Sequence, residues 1–397
     1  MCHIYNYIPI KKRNFAIGLH VTAYSPIIRA VCQFFYHKKE HFMPMFYFSP
    51  KSMNPSDVLQ GTYRLPTRAK RAVSGSGSVQ FSFEERIKYL RAYGSHCMSY
   101  SLLQPGMEYF DVPEKGFIAY RSKWGAKLAL ADPVCAEKDR EALIESFMTR
   151  FRNVGFVQVT EPVAELMNQR FGYYATQFGI ETVVDLENWT MSGKKKQVLR
   201  TAVNQSRKKG VVIREGCDDT GYRELSDQWM GTRKIKNREI GFLIRPMEMP
   251  YQAETRKFFA YLNGELVGFI FFDPVYKDGR IISYVPNISR FSRSFRQGIF
   301  YSIMTHAMEK FKAEGVKELN LGLSILILDD EDKPYESAVL KKIERLIYRY
   351  GNFIYSFKGI DFTKSRFQGR SNRFFCAHKS FLPAIKLISI FKLANVF

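Results

Sequence analysis

The chain has 397 residues, 46% of them hydrophobic and 15% aromatic, and its 60 lysines and arginines against 38 acidic residues leave a net charge of +22. This composition excludes a disordered polar chain, and the length exceeds one ordinary core, so two domains are expected. The charge calls for an anionic partner: nucleic acid, an acidic lipid surface or a phosphorylated substrate. Six cysteines (Cys2, Cys32, Cys97, Cys135, Cys217, Cys376) stand far apart without CxxC spacing, so no zinc site is expected. Such scattered thiols suit a reducing, cytoplasmic setting.

In chain order, the apolar stretch FAIGLHVTAYSPIIRAVCQFFYH (15–37) carries His20, Pro26 and Arg29, which argues against a membrane span or signal peptide. A basic, Gly/Ser-containing linker (65–80) follows, so residues 1–80 read as a poorly ordered extension, with Met53 an expected translation start. Ser82 and Glu85 form a capping box opening a short helix. Strand-like runs MEYFDV, GFIAYRS and AKLALADPV come next, then a helix with Leu143, Ile144, Phe147, Met148 and Phe151 on one stripe. GFVQVT reads as a strand, EPVAELMNQRFG as a helix with Pro early and Gly late, and ETVVDL as a strand.

The second half repeats this rhythm. Two strands meet at Asn263-Gly264, a third follows Asp278-Gly279, a helix begins near Gly298, and KELNLGLS returns as a strand. FIAYRSKWGAKLALADPV and FFAYLNGELVGFIFFDPV also rhyme, with Tyr120 and Asp132 spaced as Tyr261 and Asp273 are. Together these features indicate an internal duplication of a meander, a helix and a returning strand. That order is the core of an N-acetyltransferase-like (GNAT) fold. The expected class is therefore α/β, with tandem GNAT-like domains built on mixed, mainly antiparallel sheets. The expected division is a domain over 81–190, a basic connecting helix over 191–215, a catalytic domain over 216–380 and an apolar tail over 381–397.

DLENWTMSGKKKQVLRTAVNQSRKKG (185–210), ELSDQWM (224–230), REIGF (238–242), EGVKELNLGLS (314–324) and FKGIDFTKSRF (357–367) together resemble the C-terminal domain of phosphatidylglycerol lysyltransferases, the multiple peptide resistance factor family. The resemblance covers about residues 82 to 380. It implies transfer of an amino acid from aminoacyl-tRNA to an anionic membrane phospholipid by a peripheral protein, with a separate membrane protein as a further candidate partner. No counterpart of the family's transmembrane half is expected, so membrane access is expected through the protein's own surface or a partner. ISYVPNISRFSRSFRQG also replaces the family's Val-Asp-Leu-Met-Arg run, which leaves the donor and acceptor open.

Several residues stand out as site candidates. Ser192 can cap the basic helix and Gly210 end it, while Lys194, Lys195 and Lys196 oppose the helix dipole unless an anion docks there. Arg200 and Asn204, one turn apart, are the expected phosphate or RNA-backbone contacts. In RFSRSFRQGIF, Arg290, Arg293 and Arg296 can hold an anion, but Arg296 stands where a CoA-binding loop needs glycine. Asp227 and Glu239 are the expected acids for orienting an amine or taking a proton, with surface charge balance as the alternative. Tyr284, Asn287 and Gly322 would line the donor site, Asn320 would face a developing oxyanion, and Lys364 would hold phosphate. Lys358, Lys364, Arg366, Arg370 and Arg373 alternate with phenylalanines, as lipid or nucleic-acid surfaces do and as a covered edge strand can. The tail FLPAIKLISIFKLANVF suits a membrane surface.

Histidine-centred catalysis finds no support, so direct attack in a ternary complex is expected without a resident cofactor or metal. Two further readings stay open: an N-acyltransferase using acyl-CoA or acyl-carrier protein, and a non-catalytic RNA- or membrane-binding module.

Overall fold

The capping box forms as the sequence requires. Ser82 Oγ accepts the Glu85 N–H at 3.1 Å and Glu85 Oε2 accepts the Ser82 N–H at 2.6 Å, opening α1 (Phe83–Tyr93). The computed structural model describes residues 80–216, 221–232, 239–292, 298–329, 331–350, 357–380 and 383–395. The expected N-terminal extension through residue 79, together with Arg293 and Arg296, lies outside the described residues.

β1 (Glu108–Val112), β2 (Gly116–Lys123) and β3 (Ala126–Leu130) form an antiparallel meander, with the short β4 (Val134–Cys135) paired to β2. The helix α2 (Arg140–Arg150) then carries the chain to β5 (Val154–Thr160), which runs parallel to β3. Next come α3 (Glu161–Phe171), β6 (Tyr174–Asp185), the basic helix α4 (Gln197–Lys208), β7 (Val212–Glu215) and α5 (Tyr222–Met230). β8 (Arg256–Leu262), β9 (Glu265–Lys277) and β10 (Arg280–Phe291) form a second meander. Asn263-Gly264 and Asp278-Gly279 all take positive φ, as two-residue hairpin turns demand. The helix α6 (Ile299–Ala313) leads to β11 (Glu318–Ile325), parallel to β10. The chain closes with α7 (Ala338–Tyr350), α8 (Phe357–Ser365), β12 (Arg370–His378) and α9 (Ala384–Leu393).

Among the described residues all strands join one 12-stranded sheet, ordered β1-β2-β3-β5-β12-β6-β11-β10-β9-β8-β7 with β4 off this path beside β2. The order is symmetric about the β12–β6 pair, so the duplication is visible in the topology. The halves also exchange a strand: β6, from the first, pairs with β11 of the second, and β12 pairs with β5 of the first. The sequence rhyme is offset by one strand, because its segments occupy β2–β3 and β8–β9 while the counterpart of β8–β9 is β1–β2. Accordingly Asp132 and Asp273 are not equivalent. Asp132 accepts the Thr160 N–H at 2.9 Å and hydroxyl at 2.6 Å, whereas Asp273 grips Arg245 through two bonds of 2.6 Å in the interior.

The front face of the sheet carries one core shared by both halves, from Phe117 and Leu130 to Val275 and Val285, covered by α1, the 95–104 segment and α9. The apolar tail contributes Ile390 and Ala394 to this core and leaves Ile385 and Ile388 exposed. On the back face α2 and α3 cover the first half through Leu143, Phe147 and Met167, and α4 and α6 cover the second through Leu199, Ile303 and Phe311.

Candidate functional site

Parallel strands β10 and β11 pair only at Ser283–Glu318 and Tyr284–Leu319, then part. Just beyond, β11 bulges against β6 between Asn320 and Leu323, and Gly322 sits at φ +72°, where a Cβ would strain the backbone. Asn320 fastens the bulge. Its Oδ1 accepts the Gly322 N–H at 2.7 Å, its own N–H donates to Ser283 Oγ at 3.1 Å, and its Nδ2 donates to Glu181.

A bulge frees backbone carbonyls, and here Lys364 takes them. From α8 on the back face its Nζ donates to Gly322 O at 2.9 Å and Leu323 O at 3.0 Å. The stem is half-buried while the amine is enclosed, and this desolvation pulls its pKa down to about 8. On the front side lies Glu181, which β6 supplies to a buried position, accepting from Asn320 and from Asn372 Nδ2 at 3.0 Å. Cys97 is buried beside it, its thiol raised well above the ordinary range by desolvation and then by Glu181.

Behind the bulge opens a cleft of about 310 Å³ lined by Ile180 and Thr182 of β6, Ser324 of β11, Asp361 and Ser365 of α8, and Ser371 of β12. The basic stretch stands on the same face. Trp189 donates to Phe367 O at 2.8 Å, next to cleft residues Gln368 and Gly369, and Lys196 lies 4.7 Å from the Trp189 ring centre. Lys194 and Lys195 are exposed there. The helix itself starts later than Ser192 suggests: Lys196 is its N-cap, after a turn over Lys194–Lys196, and no side chain caps it.

The structure thus brings Asn320, Gly322 and Lys364 together and sets other candidates elsewhere. Tyr284 stacks on Phe311 at 4.5 Å in the back core. Asn287 donates to Asp273 Oδ2 at 2.7 Å beside the buried Arg245 pair. Glu239 and Arg290 pair with each other at 3.0 Å, with Arg290 over Trp229. Asp227 is exposed on α5, and Asn204 is exposed on α4. Arg200 donates to the carbonyls of Met191 at 2.6 Å and Gly193 at 2.7 Å, bracing the turn ahead of its helix. Glu181, Asn372, Cys97 and Asp361 were not singled out from sequence. The available signal was Glu181, an acid inside the apolar strand run FGIETVVD, since a buried acid in a strand needs partners.

The start of α6, where an acyl-CoA enzyme would seat pyrophosphate, is covered by α4. A Cβ on Gly298 would fall 2.5 Å from Ala202 O and 2.7 Å from Ser206 Oγ. Among the described residues no group of His, Cys, Asp and Glu could hold a metal ion, and no helix is long and apolar enough to cross a membrane.

Comparison with known proteins bears on this geometry. The chain is 22% identical over 302 residues to the phosphatidylglycerol lysyltransferase of Staphylococcus aureus (strain MRSA252), covering 73% of this chain and 35% of that protein. It is 24% identical over 296 residues to the protein of the same name from Bacillus subtilis (strain 168), covering 72% and 34%. It therefore spans about a third of the length of these relatives (35% and 34%). Among solved structures, L-PGS from Bacillus licheniformis superposes with a TM-score of 0.66 at 20% identity over 79% of this chain and 96% of that one. The C-terminal domain of a putative lysylphosphatidylglycerol synthetase from Agrobacterium fabrum gives 0.64 at 18% identity over 77% and 96%. These two likenesses show the fold. Residues 87–378 match the family described as phosphatidylglycerol lysyltransferase, C-terminal, and the chain belongs to that family.

Proposed function

We propose that this chain transfers an aminoacyl group from aminoacyl-tRNA to a hydroxyl of an anionic phospholipid; its relatives are named for lysyl transfer and phosphatidylglycerol. The observation that carries the reading is Lys364, an amine held on two bulge carbonyls with its pKa near 8, near Glu181 and on the helix that lines the cleft through Asp361 and Ser365. An amine so poised works as a general base near neutral pH. The lipid hydroxyl oxygen attacks the ester carbonyl carbon while Nζ takes its proton. The tetrahedral intermediate then expels the ribose oxygen, which receives that proton. No covalent enzyme intermediate is needed, in keeping with the buried, high-pKa thiol of Cys97. Asn320 and Glu181 are positioning residues that keep the bulge open. The exposed Lys194 and Lys195 support tRNA phosphate on the cleft side. The +22 charge supports a peripheral position at an acidic membrane.

Purified protein, phosphatidylglycerol liposomes and radiolabelled aminoacyl-tRNA pools test the reading. Ribonuclease-sensitive label in the organic phase is the expected result. Liposome binding with no labelled lipid from any charged tRNA would sink it.

A further inference from the structure

Large apolar side chains stay exposed at one end of the sheet, away from the cleft. Trp124, at the tip of the β2–β3 hairpin, is 56% exposed, and Ile385 and Ile388 of α9 are 63% and 40% exposed. The two isoleucines are three residues apart and share the outer face of α9, while Ile390 and Ala394 turn inward to the front core. Helix and hairpin are neighbours. A Cβ on Gly155 would fall 3.0 Å from the Lys386 side chain and 3.3 Å from that of Leu128. Leu128 is two residues along β3 from Ala126, a rise of about 7 Å from the hairpin. The first turn of α9 therefore stands at the hairpin end of the sheet, where β5 begins and β12 ends.

This end is also basic. Residues 121–127, 149–153 and 379–395, which build it, contain no aspartate or glutamate. Among the described residues Lys123, Arg150, Arg152, Lys379 and Lys386 make no ion pair. Lys123 lies 5.6 Å from the Trp124 ring centre, and Lys379 donates to the carbonyl of Phe171 at 2.7 Å. Lys127 is the exception, and its partner Glu108, at 3.5 Å, comes from the neighbouring strand β1. α9 lies beyond residues 87–378, so its outer face is not part of the domain that matches the family.

We infer that this end of the sheet is a docking surface for an anionic lipid bilayer, with Trp124, Ile385 and Ile388 entering the headgroup layer and the surrounding cations meeting lipid phosphates. The inference rests on the peripheral position proposed above and assigns the surface that provides it. A helix with isoleucines outward and lysines at its flanks lies in the interface plane, and a tryptophan on a hairpin tip sits at headgroup level. Cations that have no acidic partner in the protein lose nothing by turning to lipid phosphate. Isoleucine offers no flat face for a base to stack on, which favours lipid over nucleic acid here.

The full chain is sedimented with vesicles of phosphatidylglycerol and phosphatidylcholine, and with vesicles of phosphatidylcholine alone. Binding to the acidic vesicles is expected, and no binding there overturns the inference. Ile385→Ser/Ile388→Ser and Trp124→Ala are each expected to weaken it by about tenfold, as loss of interfacial apolar area does. Lys123→Glu/Arg152→Glu is expected to weaken it by about tenfold or more. Lys277→Glu/Arg280→Glu makes the same charge change at the β9–β10 turn, on the opposite end of the sheet, and is expected to bind nearly as wild type does. Quenching of tryptophan emission by doxyl-labelled lipid is expected in wild type and is expected to shrink in Trp124→Phe. Thermal melting checks that each variant is folded. Folded variants that bind as wild type does, or an equal loss in Lys277→Glu/Arg280→Glu, overturn the inference even where wild type labels lipid. Loss of tRNA retention with vesicle binding intact in Lys123→Glu/Arg152→Glu would give the surface to nucleic acid and overturn it too. Docking that depends on Trp124 and the isoleucines, without labelled lipid from any charged tRNA, would uphold the surface and remove the transfer reading instead.

Discussion

The two halves bend the same strand in the same way and use the bend differently. In the first half β5 is irregular against β12 between Val159 and Phe156, with Gln158 at φ +59°. In the second, β11 is irregular against β6 with Gly322 at φ +72°. Each bend frees a carbonyl, and each carbonyl meets a titratable nitrogen: His96 Nε2 at 2.7 Å from Gln158 O, and Lys364 Nζ at 2.9 Å from Gly322 O. His96 arrives from the front segment and is closed in, its ring packed edge-on against Phe374. Lys364 arrives from the back, beside a cleft. The duplicated geometry is therefore packed under an aromatic ring in one half and held by a cleft-lining helix in the other.

The strongest way to break this comparison is to remove each nitrogen. Lys364→Met should lower lipid labelling by about two to four orders of magnitude, the range of a lost general base. His96→Phe should leave labelling in folded protein nearly unchanged. Equal losses of labelling per folded molecule would mean that the halves are not functionally distinct. The wild-type rate should rise with pH and level off above about 8, a limb that belongs to Lys364.

Stability carries the linked effect. The folded pKa of Lys364 lies near 8, below its ordinary 10.5, so between those values the unfolded chain binds more protons. Its contribution to stability therefore grows as pH climbs through that window, and below about 8 the buried ammonium is a liability. Urea melts of wild type and Lys364→Met between pH 7 and 10 should show the advantage of methionine shrinking as pH rises.

The rhyming aspartates sharpen the contrast next. Asp273→Ala strands the fully buried Arg245 and should cost about 3–5 kcal/mol in a urea melt. Asp132→Ala removes hydrogen bonds from the uncharged N–H and hydroxyl of Thr160, strands no buried cation, and should cost only about 1–3 kcal/mol. Comparable losses would restore the equivalence that the topology denies.

Smaller again is the bend itself. Gly322→Ala has space, with Val285 at 3.4 Å from the added carbon, but takes an unfavourable φ and should cost about 1–2 kcal/mol. Gln158→Ala keeps a Cβ at a φ the chain already tolerates and deletes an Oε1 with no hydrogen-bond partner among the described residues. It should move stability by under about 1 kcal/mol.

Much of this protein was legible in its residues. Hydrophobic period, capping and turn chemistry are local, so the capping box at Ser82, the Asn263-Gly264 hairpin and the stripe of α6 could be read directly. The repeated order of elements gave the tandem fold, and motif patterns picked out Asn320, Gly322 and Lys364, which the bulge draws together. What the residues could not disclose was the strand exchange, because pairing between β6 and β11 joins segments more than a hundred positions apart. That exchange brings Glu181 of the first half against Asn320 and Asn372 of the second. The same limit hid Asp361, which sequence presents as one acid on a short helix. Sequence determined the elements and the expectation of an anionic partner, since both follow from local pattern and net charge. Tertiary structure alone decided which of two similar bends lies near a cleft, because burial, cleft and neighbouring charges are set by segments remote along the chain.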